Sequence, residues 1–149
     1  MKKYLVLNAD DFGMCKSANE AVFELFKSGD LLSATIMMPC PAAEEAVQFS
    51  IDNPQYAIGI HTTLTSEWKK YRWKPLTDGK SLLDPEGYMW PESDEVEKHT
   101  KYKEVEAEVR AQIDKALAMG MKPSHIYSYH THSFVITAGT HFKPRVYIC

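Results

Sequence analysis

Short apolar runs and helical stripes alternate three times along this chain, and that alternation limits its fold more than any other feature. Lys3 to Leu7 is an apolar run ended by Asn8, Asp10, Asp11 and Gly13, which predicts a buried strand and its exit turn. Ser17 with Glu20 three residues on forms a capping box. Ala18, Ala21, Val22, Leu25 and Phe26 then fall at helical spacing, and Gly29 closes the helix. Leu31 to Met38 reads as a second strand stopped by Pro39. Pro41 opens a second helix through about Ile51, with Ala43, Ala46, Val47 and Ile51 in its stripe and Asn53-Pro54 at its end. Tyr56 to Ile60 is a third strand running into His61. A third helix carries Tyr102, Val105, Val109, Ile113, Ala116 and Leu117 on one face and ends at Gly120, and Pro123 to Ser128 reads as a fourth strand. Strand and helix in this order are the signature of parallel βαβ units, so the expected class is α/β with a parallel sheet.

The 149 residues suffice for a single domain, residues 1–149. Four strands and three helices do not close a barrel, and (β/α) barrels run to about 250 residues. After His132 no further crossover helix is evident, so the chain is expected to be truncated relative to a complete barrel. A half-barrel with exposed strand edges favours association, which is compatible with a homodimer. The net charge of -3 supplies no basic footprint, which argues against nucleic acid or an anionic membrane as partner. No apolar run approaches the roughly 20 residues of a membrane span, and the apolar stretch at the start is too short for a secretory signal. Cys15, Cys40 and Cys149 are far apart with no CxxC pair. That points away from a disulfide framework or a thiolate zinc site and towards a reducing, cytoplasmic setting, each thiol reading as a small buried hydrophobe.

In parallel α/β folds, reactive groups gather at the carboxyl ends of the strands. Metal-capable residues stand at or near three such ends: Asp10-Asp11 after the first strand, His61 after the third and His125 in the fourth. The second strand ends in Met37-Met38-Pro39 and offers nothing comparable. Adjacent carboxylates at a strand end can divide labour, one binding a divalent cation and the other taking a proton from water activated by it. Two histidines and one aspartate leave coordination positions open, as a catalytic site requires. Taken singly, the acidic pair also reads as a turn with a helix cap, and a histidine at a strand end as a packed side chain. Their coincidence at matching strand ends favours a site.

Asn8-Ala9-Asp10-Asp11-Phe12-Gly13, Gly59-Ile60-His61-Thr62-Thr63-Leu64 and Pro123-Ser124-His125-Ile126 resemble the motifs of the YdjC-like family, which includes chitooligosaccharide deacetylases. The resemblance spans about residues 3–132. It implies a (β/α) barrel-like fold related to polysaccharide deacetylases and the removal of acetyl groups from N-acetylated sugars or oligosaccharides. By motif it implies Asp10 as general base and Asp11, His61 and His125 as ligands of a divalent metal, magnesium or zinc. Tyr127 stands where the family usually has an acid and Tyr129 where it usually has a histidine, with His130 and His132 close behind. The family also places its proton donor to the leaving amine in a C-terminal half that has no counterpart here.

The stretch from about Ser66 to Glu97 lacks periodicity and concentrates Trp68, Tyr71, Trp73, Tyr88 and Trp90. Such rings either stack on the apolar faces of sugars or form a small core that holds a long loop together, and the second reading is favoured. Under the first, Trp73→Ala weakens sugar binding without unfolding the chain. Glu92 to Glu104 reads as the solvated entry to the third helix. Two other functions compete with a deacetylase. One is a metal- or sugar-binding remnant without turnover, favoured by Tyr127 and Tyr129. The other is a metal phosphoester hydrolase, disfavoured because Arg72, Arg110 and Arg145 lie away from the motifs.

Overall fold

The computed structural model describes residues 6–128. Four strands, β1 (Asn8–Phe12), β2 (Ser33–Met37), β3 (Ala57–His61) and β4 (Ile126–Tyr127), form one sheet in the order β1-β2-β3-β4, and every neighbouring pair is parallel. The crossovers are α1 (Lys16–Ser28), α2 (Ala43–Asp52) and, after a long excursion, α4 (Tyr102–Ala118). This is the expected parallel α/β arc, each strand beside its sequence neighbour as in a (β/α) barrel.

The first strand lies further along the chain than its apolar run suggested. Asn8–Phe12 forms the ladder, so the acidic motif is part of the strand rather than its exit turn. The core explains the shift. Ala9 and Phe12 face the helices, where Phe12 is fully buried and meets Phe23 and Phe49 edge-on. The predicted capping box does not form either. Cys15 is the N-cap of α1 and no side chain caps it, whereas Gly29, at φ 82°, ends the helix as expected.

One face of the sheet is aliphatic and aromatic. Ala34 and Ile36 of β2 and Ile58 and Ile60 of β3 pack against Val22, Phe26, Ala46 and Val47, and a stack runs through Phe23, Phe49, Phe26 and Tyr56. Leu25, Ile51, Tyr102 and Leu117, expected in the buried stripes, are exposed because they lie at the stripe margins. On the buried face of α4 two polar residues, Glu108 and Gln112, share the stripe with Val105, Val109 and Ala116.

The other face carries Ser33, Thr35, Met37, Gly59 and His61 by strand alternation and is covered by the chain between β3 and α4. That segment contains a 3₁₀ turn at Lys80–Leu82, a Leu83–Met89 bridge and a seven-residue helix, α3 (Ser93–His99). The charged run was expected to be only the entry to the following helix. It forms a helix of its own because Val96 is buried. Among the described residues no helix is long and apolar enough to cross a membrane.

Candidate active site

The site begins with an irregularity in β1. Ala9 pairs with Ala34 and Phe12 with Ile36, so Asp10 and Asp11 together stand opposite the single residue Thr35. An extra residue in one strand is a β-bulge, which bends the strand and re-aims its side chains. Asp11 takes it up with a φ of 58°, a left-handed conformation that aspartate tolerates better than most residues. In a regular strand the two carboxylates would point to opposite faces. Here both line one cleft of about 570 Å³ together with His61.

Gly13 makes the turn out of the bulge at φ 87°, and its N–H donates to Asn19 Oδ1 at 2.8 Å. Asn19 is fully buried and its amide also donates to the Ala42 carbonyl and to Glu45, which ties the motif to the start of α2. A Cβ on Gly13 would lie 3.0 Å from the Ala43 backbone, so the close approach needs glycine as much as the dihedral does. At the end of β3, Gln112 exchanges two hydrogen bonds with the backbone of Thr63 and so pins the chain just past His61.

Asp10 accepts at Oδ1 from Asn8 Nδ2 at 2.7 Å and from Thr35 Oγ1 at 3.0 Å. Asp11 Oδ1 lies 3.9 Å from His61 Nε2. Burial pushes the Asp11 carboxyl above its ordinary value; His61 opposes that rise, while Glu67 and Asp10 add to it. A cation at this point would counter the like-charge crowding. Two ligands of one zinc ion stand at most about 4.2 Å apart, the sum of two bond lengths, so Asp11 and His61 fit a shared cation. His61 Nδ1 is buried without a hydrogen-bond partner among the described residues. The Tyr127 ring meets the His61 ring edge-on at 5.9 Å.

His125 is placed differently. It immediately precedes β4, and its ring lies over Gly59, with Nδ1 at 2.8 Å from Ser124 Oγ and Nε2 at 3.4 Å from Ser33 Oγ. Burial lowers its pKa and Asp10 opposes the shift, which favours the neutral imidazole, the form that can bind a metal. The structure thus brings Asp10, Asp11 and His61 together and leaves His125 one step down the sheet. No group of three metal-capable side chains is assembled among the described residues. Tyr129, His130 and His132 lie outside them.

Several contributors escaped the sequence reading. Ser33 and Thr35 come from the strand that offered nothing obvious, and their only signal is polarity at alternate positions of an otherwise apolar run. Glu67 enters the cleft from the loop after β3, and Glu92, Val96 and Glu97 face it from α3 and its entry. No local pattern marks these residues, because only the path of the long segment carries them across the sheet.

The aromatic loop divides into two groups. Trp73 is buried with Met37, Cys40 and Met89, its indole N–H donating to the Thr65 carbonyl. It is therefore a core residue, as the favoured reading of the loop expected, and its burial argues against Trp73→Ala sparing the fold. Trp90 donates to the Ser81 carbonyl and stacks on His99 at 4.2 Å. Tyr88 lies under Arg72 and Lys74. Trp68 and Tyr71 remain exposed. Of the thiols described, Cys40 is buried, but Cys15 is only half-buried, unlike the expectation for all three.

Known proteins are similar to this chain over most of its length. The family described as YdjC-like protein matches residues 4–142. A carbohydrate deacetylase of Geobacillus stearothermophilus is 36% identical over 130 residues, covering 87% of this chain and 50% of the relative. A chitooligosaccharide deacetylase of Yersinia enterocolitica is 34% identical over 152 residues, covering 99% of this chain and 54% of the relative. A crystal structure from Enterococcus faecalis, to which cellobiose-phosphate cleavage is ascribed, superimposes with a TM-score of 0.71 at 32% identity, over 84% of this chain and 48% of the other. The chain spans about half the length of the curated relatives it matches. With the motifs in order on a parallel sheet, the chain belongs to the YdjC-like family.

Proposed function

We propose that this chain contributes the base and the metal ligands of a metal-dependent hydrolase that removes acetyl groups from N-acetylated sugars or oligosaccharides. The observation that carries the reading is the bulge in β1, which turns Asp10 and Asp11 into one cleft beside His61. The names of the relatives supply the substrate class.

Asp11 and His61 would hold a divalent ion, magnesium or zinc, with His125 as third ligand once its long Nε2 contact to Ser33 is exchanged. A cation bound there supplies Lewis-acid chemistry, polarising the amide carbonyl and acidifying water. Asp10 acts as general base. Its Oδ1 is held by Asn8 and Thr35, which leaves Oδ2 to accept the proton of the attacking water. Glu67 and the carboxylates of the α3 wall make the cleft acidic, which suits a neutral sugar or the ammonium product. The widely spaced cysteines, with no CxxC pair, support a reducing, cytoplasmic setting for this chemistry.

Metal content of the purified chain, of His61→Ala and of His125→Ala, followed by acetate release from N-acetylated chitooligosaccharides, tests the proposal. About one ion per chain, lost in both variants, with turnover abolished in Asp10→Asn, is the expected result. Turnover retained in Asp10→Asn would refute its role.

A second reading is a metal- or sugar-binding protein without turnover. The separation of His125 from Asp11 and His61 favours it, as does Tyr127 at the position of the usual acid. Metal bound without acetate release would select it. Phosphoester hydrolysis has less support, since no lysine or arginine lines the cleft among the described residues.

A further inference from the structure

The bulge creates a problem that one residue of β2 solves. Asp10 and Asp11 oppose a single partner, so the regular ladder no longer dictates where their side chains point. The residue facing them is Thr35, between Ala34 and Ile36, which pair with Ala9 and Phe12. Thr35 is fully buried, on the polar face of a strand whose other face carries Ala34 and Ile36 in the apolar core. As a β-branched residue it is stiff at χ1, so the direction of its hydroxyl follows from the backbone. A buried hydroxyl needs a partner, and this one donates to Asp10 Oδ1 at 3.0 Å. Valine would suit the strand equally well, so the strand itself does not require the hydroxyl. Asn8 Nδ2 donates to the same oxygen, and among the described residues the hydrogen bonds to Asp10 all end on Oδ1.

We infer that Thr35 is a positioning residue for the Asp10 carboxylate. It anchors Oδ1 from the buried side, with Asn8 as a second, solvent-exposed donor, and so keeps Oδ2 turned to the cleft. The inference rests on the reading of Asp10 as general base. A base must come within about 2.6–3.2 Å of the atom that carries the proton, and a misplacement of about 1 Å costs on the order of a hundredfold in rate. Without the Thr35 hydroxyl the carboxylate turns about its Cα–Cβ bond and is aligned for only part of the time.

Thr35→Val, Thr35→Ser and Asp10→Asn are compared in the full chain, with N,N′-diacetylchitobiose and added magnesium or zinc. Two quantities are read: kcat with KM for acetate release, and the three-bond couplings that report the χ1 rotamer of Asp10. Thr35→Val is expected to lower kcat by on the order of tenfold or more with KM changed by less than about twofold. Asp10 should pass from one rotamer to an average, and Thr35→Ser should restore both readouts. A single unchanged rotamer in Thr35→Val overturns the inference whether or not the chain turns over. So does an unchanged kcat in Thr35→Val when Asp10→Asn is inactive. Wild-type turnover in Asp10→Asn instead removes the base reading and leaves the coupling to decide Thr35's hold on the side chain. Should Thr35→Val fail to fold, Thr35→Ala carries the same readouts.

Discussion

Gly59 faces His125 across the β3–β4 pair, and a Cβ there would lie 2.5 Å from the His125 carbonyl oxygen and 2.8 Å from its Cε1 and Nε2 atoms. The same carbonyl accepts from Ile60 N–H at 3.0 Å, so the methyl group would strike one of the hydrogen bonds that join the β4 segment to β3. Gly59→Ala should cost about 1–3 kcal/mol by overpacking and displace the ring, which a thermal melt and the His125 ring resonances would show. A variant that melts with the wild type and keeps those resonances would mean that His125 does not rest on Gly59. At Asp84 the balance is electrostatic. Burial raises its carboxyl, but hydrogen bonds from Tyr88 N–H, the Arg72 guanidinium and Glu86 N–H outweigh burial and hold it below the ordinary value. The stability this supplies is fully present above pH 3.8 and is lost as the pH falls through the lower folded value. Asp84→Asn should therefore melt below the wild type at pH 7, with the gap closing progressively below pH 3.8. A gap that widens in acid would show that the sign is wrong.

The segment between β3 and α4 is held as an element by carboxylates of α4. Glu108 accepts from Leu76 N–H, Thr77 N–H and the Thr77 hydroxyl, and Glu104 from Ser81 N–H and its hydroxyl. Glu108 is fully buried, and Glu108→Ala strands its donors away from water. A loss of about 3 kcal/mol in urea unfolding is expected, with faster hydrogen exchange at Leu76 and Thr77. An exchange pattern like the wild type's would place the anchor elsewhere. Trp73→Ala opens the cluster of Met37, Cys40 and Met89 and should cost about 3–5 kcal/mol. A weakened sugar interaction with unchanged stability would contradict its burial. The α4 helix was legible in the sequence because its apolar stripe has period 3.6. The path of the segment before it was not, because that path depends on partners at positions 104, 108 and 112, which lie far from it in sequence.

For the molecule as a whole, the order β1-β2-β3-β4 leaves β1 and β4 each paired on one side among the described residues. Val6, Leu7 and Leu32 are exposed where the chain enters β1 and β2. Sedimentation at increasing concentration should give a mass rising above the 17.0 kDa of the chain, and Leu32→Lys should reduce the rise. A constant monomer mass would leave these edges without a partner of their own kind. The sequence by itself determined the parallel α/β class, because alternating apolar runs and helical stripes can be buried in few other ways. It also identified the four motif residues, because adjacent carboxylates and strand-end histidines are legible one at a time. Three features were decided by the tertiary structure alone. The bulge puts Asp10 and Asp11 on one face, Thr35 and Ser33 touch Asp10 and His125, and Gly59 seats His125 apart from Asp11 and His61. Each depends on strand register, and register is set by packing between segments far apart in the chain, which no local pattern records.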